Sequence, residues 1–184
     1  MICKERKFEV PTVNDWKLDN KSNFLRLGLN SMQQYRIKFI LGKITAYVDA
    51  LRLGKTTVDD LTSYTQTAVE IEHIMPQTCA DKELYGMNDE DFSVYINRLG
   101  NLTLLENSIN KSIHNDVYAN KSKAYKQSKF YLTSSLSELV NQGHDTAINR
   151  TNSLLFAWSD WNKQSIEERQ EMLYRLSEMI WEMS

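Results

Sequence analysis

At 184 residues and 21.5 kDa, with 41% hydrophobic residues, the chain is long enough to bury a core of its own and has single-domain size. Its formal net charge of −2 excludes a surface given over wholly to nucleic acid, and no apolar run approaches the roughly 20 residues of a membrane span. MICKERKFEV has no hydrophobic leader, so a soluble, cytoplasmic protein without membrane contact is expected.

Residues 1–30 are poorly periodic and read as a linker or the start of a larger protein, followed by a single domain over 31–184. From Ser31 to Leu53, Met32, Tyr35, Phe39, Ile40, Ile44, Tyr47, Val48 and Leu51 recur at three and four, one face of a long helix that should stop at Gly54. Thr57 and Asp60 resemble a capping box for a short helix reaching about Gln66. VEIEHIM then changes to the two-residue period of a strand. NDEDFSVYINRLG predicts a helix from an Asn88 cap to Gly100, and NLTLLE predicts a second short strand. Residues 108–128 read as helix in two pieces around Asn115. Ser165 and Glu168 suggest a capping box for a final helix to about residue 182, and Trp158, Trp161, Trp181, Met172 and Met179 read as core packing in or beside it. The expected class is mainly α (α+β), with a small β element embedded at about 69–128.

Charge is unevenly spread. Residues 97–131 carry six basic side chains (Arg98, Lys111, Lys121, Lys123, Lys126, Lys129) against Glu106 and Asp116, whereas DKELYGMNDED carries five acids against one lysine. The basic stretch suits phosphate contacts, although a solvated helix face has the same composition. Cys3 and Cys79 are isolated, so no structural zinc site is expected and a metal would be held by oxygen and nitrogen.

Glu72-His73 at a strand end, Asn101 opening NLTLL, and Asn110-Lys111 at a helix start follow one another as strand, excursion, strand, helix. That is the order of a ββα-metal nuclease, in which a hairpin holds a base over the scissile phosphate and the helix presents a metal ligand. A neutral imidazole suits the base, and the carboxylate of Glu72 with the amide oxygen of Asn110 suits Mg²⁺ or Mn²⁺. Adjacent strand residues point to opposite faces, so Glu72 and His73 converge only if the strand ends there, as Pro76 suggests. Taken singly, a Glu-His pair, a turn asparagine and a cap asparagine are commonplace.

In this order, EHIMPQ, NLTLL and NKS resemble the HNH (His-Me finger) nuclease motif, including the nine-residue spacing from Asn101 to Asn110. EHIMPQ, RLGNLTLLENSINKSIHN, YANKSKAYKQS and the tryptophan-rich C-terminal helix with SIEER further resemble the C-terminal domain of GmrSD-type modification-dependent (type IV) restriction endonucleases, over about Tyr35 to Trp181. The resemblance implies a metal-dependent DNA endonuclease of a restriction or phage-defence system, with His73 as general base, Glu72 and Asn110 as metal ligands, and Asn101 bracing the hairpin and orienting the histidine. Asn115, Lys121, Tyr125 and Ser128 match later family positions. Lys121 is assigned to DNA phosphate with Lys111, Lys123, Lys126 and Lys129. His114, four residues after Asn110, is an alternative or additional metal ligand if the helix is unbroken, and His144 reads as merely exposed. Full-length relatives pair this domain with an N-terminal nucleotide-dependent sensing domain carrying D-G-Q-Q-R, a motif not found here, so a C-terminal fragment or solitary domain is expected. The rival reading, from another class, is a non-catalytic DNA-binding or protein-interaction module that keeps the hairpin for folding.

Overall fold

The computed structural model describes residues 20–58 and 60–181. Cys3, and the linker reading insofar as it concerns residues 1–19, lie outside them. Residues 20–30 do not behave as a linker. Asn20 caps a one-turn helix, α1 (Lys21–Phe24), by accepting from the Ser22 amide at 2.9 Å, and Phe24 and Leu27 are buried in the core.

Helix α2 (Gln34–Arg52) is the scaffold. Its buried stripe runs through Ile37, Ile40, Leu41, Ile44 and Val48, all fully buried, while Tyr35 is 64% exposed. Ile40, Ile44, Tyr47 and Val48 of the expected face are thus buried, Ile37 and Leu41 join them, and Tyr35 does not, while strand Leu102–Glu106 and the last helix pack against this helix. The short α3 (Thr62–Thr65) has Leu61 at its N-cap, and Asp60 just before it accepts through Oδ1 from the Thr62 amide and hydroxyl at 2.8 and 2.7 Å.

Strands β1 (Val69–His73) and β2 (Leu102–Glu106) form an antiparallel pair with Glu72 opposite Thr103 and His73 opposite Leu102. Between them lie a 3₁₀ turn at Glu83–Tyr85, helix α4 (Asp89–Tyr95) and a second 3₁₀ turn at Leu99–Asn101. Asn88 caps α4 through the Asp91 amide at 2.8 Å, as its position suggested, and Asp89, Glu90 and Asp91 suit the positive end of the helix dipole. The helix stops at Tyr95, short of Gly100.

From β2 the chain passes directly into α5 (Asn107–Ile113), and α6 (Tyr118–Tyr125) follows after a break at His114, which adopts φ +46°. Helices α7 (Tyr131–Ser134) and α8 (Ala147–Asn152) lead to α9 (Lys163–Trp181). Asn162 rather than Ser165 caps α9, its Oδ1 accepting from the Ser165 amide at 3.1 Å. Trp158, Trp161 and Met172 are buried as expected, whereas Met179 and Trp181 are half-buried. The class is α+β: helices around one two-stranded sheet. No helix of the described residues is long and apolar enough to cross a membrane.

Candidate active site

The strand–strand–helix order brings distant residues to one cleft of about 350 Å³, lined by Gln34, Ile71, Glu72, His73, Gln77, Asn110, Lys111, His114, Asn115 and Lys121. His73 is the last paired residue of β1, and the Ile74 amide already donates to the Asn101 carbonyl at 2.9 Å. Because the strand ends there, Glu72 and His73 line one cavity despite their alternation.

His73 is 9% exposed. Burial pulls its pKa below the ordinary 6.5, a hydrogen bond to Asn97 opposes the fall, and the Lys121 charge adds to it. Nε2 lies 3.3 Å from Asn97 Oδ1 and 3.5 Å from Gln77 Nε2. Those neighbours make opposite demands, since an amide oxygen accepts from Nε2–H and an amide nitrogen needs Nε2 as acceptor. The shorter contact favours Nε2–H, and Asn97 is itself oriented by donating from Nδ2 to Asn30 Oδ1 at 3.0 Å. In this tautomer Nδ1 is the ring's only proton acceptor.

Glu72 is 6% exposed, and its Oε1 accepts from Lys121 Nζ at 2.7 Å and from the Tyr125 hydroxyl at 3.0 Å. Burial raises its pKa, and Lys121 and Tyr125 oppose that rise. Lys121 Nζ also donates to the His73 carbonyl at 2.7 Å and is 1% exposed. This corrects the phosphate-contact expectation: the ammonium lies beneath the strand end, occupied by Glu72.

Asn110 sits within α5 rather than at its cap, and its Nδ2 donates to Glu70 Oε2 at 2.6 Å. Glu70 was not singled out from sequence, although the alternation of VEIEH places it on the same strand face as Glu72. His114 reaches the cleft, but the helix ends at Ile113, so the unbroken-helix condition for its pairing with Asn110 fails. His144 is exposed.

Asn101 is fully buried, and its side-chain hydrogen bonds go to groups other than the imidazole. Its Oδ1 accepts from the Met75 amide at 2.8 Å and from Trp161 Nε1 at 2.9 Å, and its Nδ2 donates to the Ile96 carbonyl at 2.9 Å. It thus fixes the backbone just after His73. Asn115 does the same farther on, accepting from the Gln77 amide at 2.7 Å and donating to the Thr78 carbonyl at 2.9 Å. Ser128, three residues past α6, ties the chain to the end of β2 by donating to Glu106 Oε2 at 2.8 Å.

The end of β1, the paired β2 and the helix after it thus gather a histidine, a carboxylate and an amide into one cleft of an α+β domain. The chain belongs to the C-terminal domain family of the GmrSD restriction endonucleases, whose sequence model matches residues 14–176. No curated protein and no solved structure is significantly similar to it.

Proposed function

We propose that this domain is a metal-dependent DNA endonuclease of the HNH class, serving a restriction or phage-defence system, with His73 as general base. The observation that carries this reading is the gathering of His73, Glu72 and Asn110 into one cleft by strand end, strand and following helix.

The oxygens beside that cleft fit a hard divalent cation. Glu72 and the Asn110 amide line it, and Glu70 lies one hydrogen bond from Asn110. Ions such as Mg²⁺ and Mn²⁺ accept such an oxygen set and keep several waters. Lys121 and Tyr125 both hold Glu72 Oε1, so an ion would meet the other carboxylate oxygen. Held by Glu72 and Asn110, the ion would supply charge neutralisation to the phosphate and its leaving oxygen.

The protein's own part is positional. Asn97 keeps the proton on Nε2 and so presents Nδ1 of His73 to a water, while Asn101 and Asn115 hold the segment that follows. Burial keeps the imidazole neutral and ready to accept. Attack on phosphorus with departure of the 3′ oxygen leaves a 5′-phosphate and a 3′-hydroxyl. One centre cuts one strand at a time, so the product from duplex DNA is a nick. Recognition of modified DNA would come from an N-terminal nucleotide-dependent domain joined to this one.

The Glu72–Lys121 ion pair favours the second reading, a binding module that keeps the hairpin for folding. Conversion of supercoiled plasmid to open circles, with Mg²⁺ or Mn²⁺ and with EDTA, decides between them. The expected result is metal-dependent nicking that His73→Ala lowers about 10²- to 10⁴-fold. Equal nicking by parent and variant refutes the role of His73, and none by either favours the binding module.

A further inference from the structure

Several of the lysines that the sequence offers for phosphate are engaged elsewhere. Lys121 is buried against Glu72, Lys126 is paired with Glu138 at 2.7 Å, and Lys129 Nζ lies 5.1 Å from the centre of the Phe130 ring. Lys111 remains at the cleft. Two arginines share a cleft with Asn97. A second cleft, of about 270 Å³, is lined by Arg26, Gly28, Asn30, Val94, Asn97 and Arg98, and Asn97 is the residue whose side chain reaches the His73 ring. The two clefts therefore meet at the His73–Asn97 contact.

This second cleft is rigidly built. The Leu29 amide donates to the Asn97 carbonyl at 2.9 Å and the Leu99 amide to the Leu27 carbonyl at 2.8 Å, on either side of a bridge between Gly28 and Arg98. Gly28 is required for that approach, because a Cβ there would lie 2.1 Å from the Asn97 carbonyl oxygen. Arg98 thus projects from paired backbone, and Arg26 lies two residues before the bridged Gly28. The Arg98 guanidinium carbon lies 3.9 Å from the centre of the Tyr95 ring, a stack that fixes its plane and leaves its N–H edges available.

The lining holds two guanidinium groups and two side-chain amides and contains no carboxylate. Among the described residues neither arginine has an ion-pair partner. Planar guanidinium donors match phosphate oxygens.

We propose that Arg26 and Arg98 bind a backbone phosphate of the DNA strand close to the one hydrolysed at His73, and that the strand passes from this cleft across His73 towards Lys111. The assignment rests on the reading of His73 as the centre of a nuclease site. It gives residues 26–30 a role in substrate binding, and it places positive charge on two sides of the scissile phosphate, where contacts set register without reading sequence.

The test uses the full chain carrying His73→Ala, a fluorescein-labelled duplex and EDTA, with anisotropy measured over a salt series. The expected result is that Arg26→Gln and Arg98→Gln each reduce the log–log salt slope by about 0.9. Arg98→Lys keeps the charge, and with it most of the slope, which separates lost phosphate contact from local misfolding. Duplexes bearing one neutral methylphosphonate at successive positions should lose affinity at one phosphate near the cut, and the double Arg variant should no longer sense that position. Binding by the parent with an unchanged slope in the double Arg variant overturns this inference and leaves the nuclease reading standing. Displacement of duplex by inorganic phosphate, beyond that by chloride at equal ionic strength, makes the cleft a free-phosphate site and overturns the strand assignment. A parent that binds no duplex overturns the nuclease reading, and this assignment with it.

Discussion

Replacing Lys121 by methionine keeps the length of the side chain and removes its charge from a place where little else can replace it. Lys121 and Glu72 are 1% and 6% exposed, and their charged atoms lie 2.7 Å apart. Without the ammonium, Glu72 keeps the Tyr125 hydroxyl as a partner and the His73 carbonyl loses a donor. Breaking a buried pair on one side costs about 3–5 kcal/mol. In a protein of this length each kcal/mol lowers Tm by about 2–4 °C, so the expected loss is about 6–20 °C. Glu72→Gln together with Lys121→Met removes both charges, keeps an acceptor for Tyr125, and should recover much of the loss. The deficit is also pH-dependent. Lys121 opposes the upward shift that burial gives Glu72, so in the variant the folded pKa rises further and the native state binds more protons than the unfolded one. Stability then falls as pH rises through the carboxylate range, and the deficit shrinks in acid. Urea denaturation of parent, single and double variants at pH 7.5 and 5 measures all of this. A loss below about 1 kcal/mol for Lys121→Met, the worth of an exposed pair, would refute the buried placement and restore the lysine to the DNA-facing surface.

Asn97→Ala should lower the rate of nicking with little change in the concentration of DNA needed. It should also give His73 a mixture of tautomers in long-range ¹H–¹⁵N spectra of the metal-free protein, whereas Asn97→Asp, an acceptor only, keeps Nε2–H. An unchanged tautomer in Asn97→Ala would remove Asn97 from the positioning of the base. Asn101→Ala leaves the Met75 amide, the Trp161 indole and the Ile96 carbonyl without that partner. A buried group left unsatisfied costs about 1–3 kcal/mol, so chemical denaturation should show a clear loss, and a change under about 0.5 kcal/mol would contradict its bracing role.

The parts legible in the sequence are those whose partners are close along the chain or follow a period. VEIEH and LTLLE showed their strand character, and Asn88 announced its helix by a hydrogen bond to a residue three positions on. What misled was partnership over distance. Nothing local distinguishes Lys121 from the exposed Lys123 beside it, because Glu72, which buries it, lies on another element. Asn97 looked like the tail of a helix, and only the turn at Leu99–Asn101 carries it back to His73. Residues 20–30 lacked periodicity because one aromatic, one leucine and a backbone bridge hold them, rather than a repeating face.

The same logic extends to the last helix, which lines neither cleft yet holds the hairpin's turn. Arg169 is fully buried, and its Nη1 donates to the Gly100 carbonyl at 2.8 Å and to the Leu102 carbonyl at 2.6 Å. Its neighbour Gln170 accepts from the Gly100 amide and donates to the Phe24 carbonyl at 2.8 Å. A Cβ on Gly100 would lie 2.2 Å from the Ile166 carbonyl oxygen, so the turn seats directly on the helix backbone. Burial pushes Arg169 down to about 9, and among the described residues its Nε and Nη2 have no hydrogen-bond partner. A buried guanidinium without a carboxylate is a poor device for stability, since an apolar side chain in its place would carry no desolvation cost. Its geometry suits positioning instead: one side chain holds the carbonyls on both sides of Asn101, the residue that braces the backbone after His73. SIEERQ, the segment that finishes the hairpin's turn, lies inside the span of residues 14–176 that matches the restriction-endonuclease domain.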